Sequence, residues 1–183
     1  MSTNNHLQIL IKKRLKGDFI VANQTGQAEE KILIRKNHLI QVMHFLAHDP
    51  DASLDLLLDI SCLEHAGNEQ ICQWQSNFDK PHFEIFYLLR SSKLGYRLCL
   101  SILLDENEPS LPSLSSLYSS AVWLEREMWD MFGIYPEGHP NLARLIMYAG
   151  FAGHPMKRSY PITKEQALIP IYKHQHLPNF LKE

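Results

Sequence analysis

The chain has little that would tie it to a self-contained chemistry. It holds only three cysteines, Cys62, Cys72 and Cys99, with no Cys-x-x-Cys pair among them. That count excludes a disulfide scaffold and any iron–sulfur ligation by a familiar spacing, and it fits free thiols in a reducing compartment. Long apolar runs are missing too. The richest, Leu54 to Ile60, is interrupted by Asp55 and Asp59 and is far short of the ~20 residues that span a bilayer. The first residues show no charged-then-apolar signal pattern. Gly-x-Gly-x-x-Gly, a Walker-type loop, Gly-x-Ser-x-Gly, His-Glu-x-x-His and the zinc deaminase signature are all absent. The formal net charge is only -2. No aromatic-and-basic interleaving marks a nucleic-acid platform, so nucleic acid is not an expected partner.

What is present is an ordinary globular composition, 45% hydrophobic and 21% charged over 183 residues, enough for one core without a staple. Leu7–Leu15 reads as an amphipathic first helix. Asp18–Ala22 and Lys31–Arg35 read as strands of a hairpin around Gly26. Asn37 is positioned to cap a helix running to about His48, whose Leu39, Val42, Met43 and Leu46 form one stripe before Asp49-Pro50 stops it. Ser53–Leu63, His82–Leu89 and Tyr96–Leu104 are three more strand candidates. Ser91–Gly95 makes the turn between the last two, Gly67 marks another turn, and Ile71–Phe78 is ambiguous. This order predicts an α+β fold: a mixed, mostly antiparallel sheet with helices on one face, plus a long extended C-terminal tail.

Three zones follow. Residues 1–105 form the core, 106–133 a linker and a long amphipathic helix, and 134–183 an extended tail. Ser113 is the expected cap of that helix. Leu114, Leu117, Ala121, Leu124, Met128 and Met131 make a stripe over five turns, which Gly133 closes. Six of the ten prolines lie beyond Gly133, so the tail is irregular. It is also too apolar for a free linker, with Leu142, Leu145, Ile146, Tyr148, Phe151 and Tyr160 among its residues. A tail that wraps a partner satisfies both facts.

The densest segment is Trp123-Leu-Glu-Arg-Glu-Met-Trp-Asp-Met-Phe-Gly-Ile134. Charges among large aromatics are costly unless paired. Arg126 and Asp130 stand four apart, the spacing of a helix-surface ion pair. The alternative is a partly buried network of Glu125, Arg126 and Glu127, with Trp123, Trp129 and Phe132 beside it, fixing the tail or a partner in register. Two Gly-His-Pro triplets follow, at Gly138 and Gly153. His139 and His154 can each brace a turn by a hydrogen bond, or, with Glu125 or Glu127, bind zinc in a small metal-dependent hydrolase.

The same segment, with Gly138-His-Pro-Asn-Leu-Ala-Arg-Leu-Ile146 and Gly150-Phe-Ala-Gly-His-Pro-Met-Lys-Arg-Ser-Tyr-Pro161, closely resembles the 30-kDa (C-type) subunit family of NADH–quinone oxidoreductase, respiratory complex I. Leu56–Glu64 and His82–Arg90 resemble that family's central strands, so the likeness runs from about Leu7 to Ile162. It implies a structural and assembly subunit of the peripheral arm, part of a proton-translocating translocase, with no catalytic residue, cofactor or metal of its own. FMN, iron–sulfur clusters and quinone then belong to partner subunits: chiefly the D-type subunit, and the cluster-bearing B-type and I-type subunits. The resemblance places the protein peripherally on the cytoplasmic face of a bacterial inner membrane, or on the matrix side of a mitochondrial one, held through partners. A related membrane-bound hydrogenase, or a plastid or archaeal complex-I-like enzyme, is the alternative. By resemblance Glu125, Arg126, Glu127, Trp129, Asp130, Phe132, His139, Arg144, His154 and Arg158 are structural or interface residues. The chain departs from the family's pattern at Ala152 and Ser159, where acids are usual, and after Ile162.

Overall fold

A computed structural model describes residues 9–10, 13–14, 20–25, 30–65 and 82–166. Its centre is a five-stranded sheet built from β1 (Ile20–Thr25), β2 (Glu30–Ile34), β3 (Leu56–Glu64), β4 (Phe83–Arg90) and β5 (Arg97–Leu104), in the order β1-β2-β5-β4-β3. Only the β2–β5 pair is parallel; the others are antiparallel. The predicted α+β class and mixed sheet are what the structure has.

Alternation decides the sheet's faces. Phe83, Ile85, Tyr87 and Leu89 on β4 lie opposite Leu104, Ile102, Leu100 and Leu98 on β5, and all eight are buried. Side chains two apart on a strand share a face, so these form one apolar surface. Ile32 and Ile34 of β2 and Leu57 and Ile60 of β3 extend it.

Among the described residues, two complete helices cover that surface. In α1 (Leu39–His48), the stripe Leu39, Val42, Met43 and Leu46 is buried as its spacing predicts. Asn37 is not its cap: it lies inside a 3-10 turn, Lys36–His38, and His38 occupies the N-cap position, where its side chain does not cap the helix. Ile9, Leu10, Lys13 and Arg14 are helical, and Leu10 joins the core. Arg14 pairs with Asp49 and Asp51 at the end of α1. The rest of the predicted first helix, the Gly26 turn, the Gly67 turn and Ile71–Phe78 lie outside the described residues.

The second helix, α2, spans Ala121–Phe132, not the five turns its stripe suggests. Leu114–Tyr118 is a separate turn: the N–H groups of Leu117 and Tyr118 both donate to the Leu114 carbonyl. Leu114 and Tyr118 are nevertheless buried beside Ala121 and Met128. Tyr118 donates its hydroxyl to the Leu54 carbonyl and Ser120 to that of Leu57, at 2.9 Å each. Those bonds seat the start of α2 against the beginning of β3. Gly133 ends the helix in the left-handed conformation, φ 78°.

The expected linker is also partly ordered. β6 (Ser110–Pro112) pairs in parallel with β7 (Tyr135–Glu137), so the segments before and after α2 are stitched together. Parallel neighbours need a crossover of a dozen or more residues, and the turn with α2 supplies it. Beyond β7, residues 138–166 have no regular structure. They do not stand away from the domain: they fold back over α2 as a strap.

Candidate functional site

The strap is held by a set of side chains that point inward from α2. Asp130, fully buried, is the centre. Its Oδ1 accepts from Arg144 at 2.6 Å. Its Oδ2 accepts three consecutive backbone N–H groups, from Leu145, Ile146 and Met147, at 3.0, 2.8 and 2.9 Å. Burial alone would push this carboxyl up. The Met147 N–H, the Arg144 guanidinium and the Ile146 and Leu145 N–H groups outweigh it, so the group is held below the usual carboxylate range. An uncapped run of backbone donors is thereby satisfied by one ion.

Arg144 does more than neutralise Asp130. It also donates to the Gly153 carbonyl at 3.0 Å, and its guanidinium lies over the rings of Trp129 and Phe151, 5.5 and 5.6 Å from their centroids. One planar cation thus joins helix, near strap and far strap, a geometry lysine does not offer. Arg126, one turn earlier, donates from Nε to the Ala143 carbonyl at 2.9 Å and from its terminal nitrogen to the Arg144 carbonyl at 3.0 Å.

The expected Arg126–Asp130 pair and the Glu125–Arg126–Glu127 network do not form. Successive helix residues project about 100° apart, and here each of the three takes its own direction. Glu125 turns inward and is buried. It accepts the Leu114 N–H and the Ser113 hydroxyl, both at 2.6 Å. Burial raises this carboxyl above its ordinary range, against the pull of Ser113, Leu114 and His139. Ser113 is therefore a partner of Glu125 rather than a helix cap. Arg126 reaches the strap, and Glu127 is exposed. Phe132 packs half-buried against the core.

Both Gly-His-Pro histidines brace turns. His139 donates from Nε2 to the Val122 carbonyl at 3.0 Å and accepts the Asn141 N–H on Nδ1 at 3.1 Å. His154 donates from Nδ1 to the Asp130 carbonyl at 3.1 Å and meets Trp129 edge-to-face at 6.1 Å. The two carbonyls are eight residues apart on one helix, ~12 Å at ~1.5 Å per residue. The histidines therefore cannot share a zinc ion, and the pair of ligands that a small metal-dependent hydrolase would need is not formed. Among the described residues, no group of three His, Cys, Asp or Glu side chains is arranged to hold a metal.

Three anchors carry no signal in the sequence. Glu64, buried at the end of β3, accepts from His82 Nε2 at 2.8 Å and from the Arg158 N–H at 2.7 Å. Arg158 thus contributes its backbone, and its side chain is exposed. Gln166 acts as a backbone mimic: its Oε1 accepts the Ala152 N–H at 2.9 Å, and its Nε2 donates to the Ala152 carbonyl at 2.8 Å. Nε2 also lies 2.8 Å from the Tyr160 hydroxyl. Met156 donates its N–H to the Met131 carbonyl at 3.0 Å.

Fold and site define an α+β domain whose C-terminal strap is latched to a helix by a buried carboxylate. Residues 32–166 match the family model described as respiratory-chain NADH dehydrogenase, 30 Kd subunit. The chain belongs to that family. It is 38% identical over 133 residues to NADH-ubiquinone oxidoreductase subunit 9 of Dictyostelium citrinum, covering 73% of this chain and 60% of that one. It is 31% identical over 163 residues to the C-type subunit of NADH-quinone oxidoreductase of Roseiflexus sp. (strain RS-1), covering 86% of this chain and 87% of that one. A fused C/D-type subunit of the Proteus mirabilis NADH-quinone oxidoreductase is 30% identical over 163 residues, 87% of this chain but 26% of the fusion. Among solved structures, the trypsin-resistant fragment of Nqo5 superposes with a TM-score of 0.57 at 27% identity, covering 74% of this chain and 97% of the fragment. A chain of an archaeal membrane-bound sulfane sulfur reductase shares the fold, with a TM-score of 0.57 at 16% identity over 75% of this chain and 72% of that one. No described helix is long and apolar enough to cross a membrane.

Proposed function

We propose that this protein is a structural and assembly subunit in the peripheral arm of a proton-translocating NADH:quinone oxidoreductase. It presents the latched strap to the quinone-reducing partner and carries no catalytic residue or cofactor of its own. The observation that carries this reading is the use made of the site's polar groups. Asp130, Arg126, Arg144, His139 and His154 are committed to backbone atoms of the strap and its helix. That arrangement makes a shape. Four large apolar side chains stand exposed around it: Trp123, Tyr135, Ile146 and Met156 are 58, 51, 54 and 56% exposed. Large apolar groups held on a rigid support mark an interaction surface.

The fused C/D-type relative supports the D-type subunit as the chief partner, because there the two units share one chain. The B-type and I-type subunits complete the proposed neighbourhood. FMN, iron–sulfur clusters and quinone are assigned to the partners, and attachment to the inner membrane's cytoplasmic face is through them. A related membrane-bound respiratory complex is the second reading, favoured by the archaeal structure that shares the fold.

The test is affinity purification of the tagged chain from mildly solubilised native membranes, followed by mass spectrometry. Recovery with flavin-bearing and quinone-module subunits supports the first reading. A hydrogenase or sulfur-reducing subunit in their place selects the second. A chain that purifies alone overturns both.

A further inference from the structure

The strap, α2 and the margin of the sheet enclose a groove of about 350 Å³. One wall is the run Asp59-Ile-Ser-Cys62 of β3. Side chains along a strand alternate between faces, so four consecutive residues can line one groove only if it runs along the strand's edge. β3 is the last strand of the sheet, and no described strand pairs with its outer side. It is nine residues long, and Leu56, Leu58 and Leu63 are 43, 40 and 44% exposed. A long apolar edge of this kind is a template for another strand.

The opposite wall is soft, and each wall carries one acid. Met128 and Met131 come from α2 and Met156 from the strap, beside Cys62. Thioethers adapt to the side chains they meet, which is why methionine suits docking surfaces. Burial pushes the Cys62 thiol up to about 12, so it serves as an apolar group there. Asp59 and Glu127 are both exposed, and the lining contains no Lys, Arg or His.

We propose that this groove receives an extended segment of a partner subunit by strand addition to β3. The segment alternates apolar side chains, which lie on the three methionines, with a Lys or Arg that meets Asp59 and Glu127. This rests on the assembly reading above and adds where, and by what chemistry, a partner is gripped.

The test places a photo-crosslinking amino acid at Met131 of the full-length protein in cells that build the complex. Ile40, exposed on α1, is the control position. After irradiation the complex is purified and the linked peptides are sequenced. The expected adduct at Met131 is a segment of a co-purifying subunit with alternating apolar residues and a Lys or Arg within a few positions. Asp59→Lys with Glu127→Lys, both at exposed sites, lowers its yield at least tenfold without unfolding the chain. An intact complex with no adduct at Met131 overturns the groove and leaves the assembly reading standing. An adduct to a second copy of this chain, or to a segment without a cation, also overturns it. A chain recovered without partners removes the assembly reading, and the groove with it.

Discussion

The imidazole of His154 occupies the space that a β-carbon on Gly133 would need. A β-carbon built there falls 2.7 Å from His154 Cδ2, while His154 Nδ1 is bonded to the Asp130 carbonyl. The end of α2 and the far part of the strap are therefore fitted to each other through a missing side chain.

Gly133→Ala must then cost more than a left-handed alanine alone. Gly95, at φ 74° with nothing within 4 Å of an added β-carbon, supplies the reference, about 1 kcal/mol for conformation. Gly133→Ala adds displacement of the His154 ring. Denaturant midpoints of the two variants are expected to differ, with Gly133→Ala the lower by an additional ~1 kcal/mol or more.

Asp130→Asn removes the charge that holds Arg144 and weakens the acceptor of three N–H groups. Breaking one side of a buried pair costs about 3 kcal/mol, and here the loss falls on the strap. Hydrogen exchange of the Leu145, Ile146 and Met147 amides is expected to accelerate by more than tenfold, while amides of β4 and β5 stay protected. Uniform loss of protection would contradict a local latch.

The two buried carboxylates of α2 give opposite pH dependences. Asp130 is held low when folded. Its contribution is present above the ordinary unfolded value near ~4 and is lost as pH falls through the folded value. Glu125 is raised when folded, so its contribution is full below the unfolded value near ~4.3 and is lost as pH rises through the folded one. Urea midpoints from pH 3 to 8 should show Glu125→Gln flattening the decline on the higher-pH side. Asp130→Asn should flatten it on the acid side.

Arg126→Ala removes both bonds to the Ala143 and Arg144 carbonyls. The expected outcome is less assembled complex with unchanged turnover per assembled complex. Native-gel quantification paired with NADH:quinone activity distinguishes the two; full assembly with lower turnover contradicts the prediction.

Much of the fold is legible in periodicity. The stripe Leu39, Val42, Met43 and Leu46 places α1 to within a residue, and alternation on β4 marks its buried face. The start of α2 is misplaced by the same rule because Leu114 and Leu117 continue its three-and-four spacing. A hydrogen-bonded turn that aims side chains at the same core leaves the same pattern. β6 and β7 are illegible, since three-residue strands holding Pro112 and Pro136 show no period of two.

At the site, residue types are informative and pairings are not. Asp130 has an arginine four residues away, a favourable helical spacing, yet its partner is Arg144, brought back by the strap. That return depends on long-range geometry, as do the roles of Glu64 and Gln166. The two histidines are legible as turn braces, because a residue before proline is already restricted and needs only an acceptor within reach.

The parallel pairing of β6 with β7 gives the strap a mechanical character. Its root is fastened to the segment that precedes α2, and its middle is pinned at Asp130. A force applied by a moving neighbour at the outer strap reaches the sheet through several bonds strained together rather than opened one at a time. The domain is therefore braced as a bracket, fastened at the β6–β7 pairing and again at the carboxylate of Asp130.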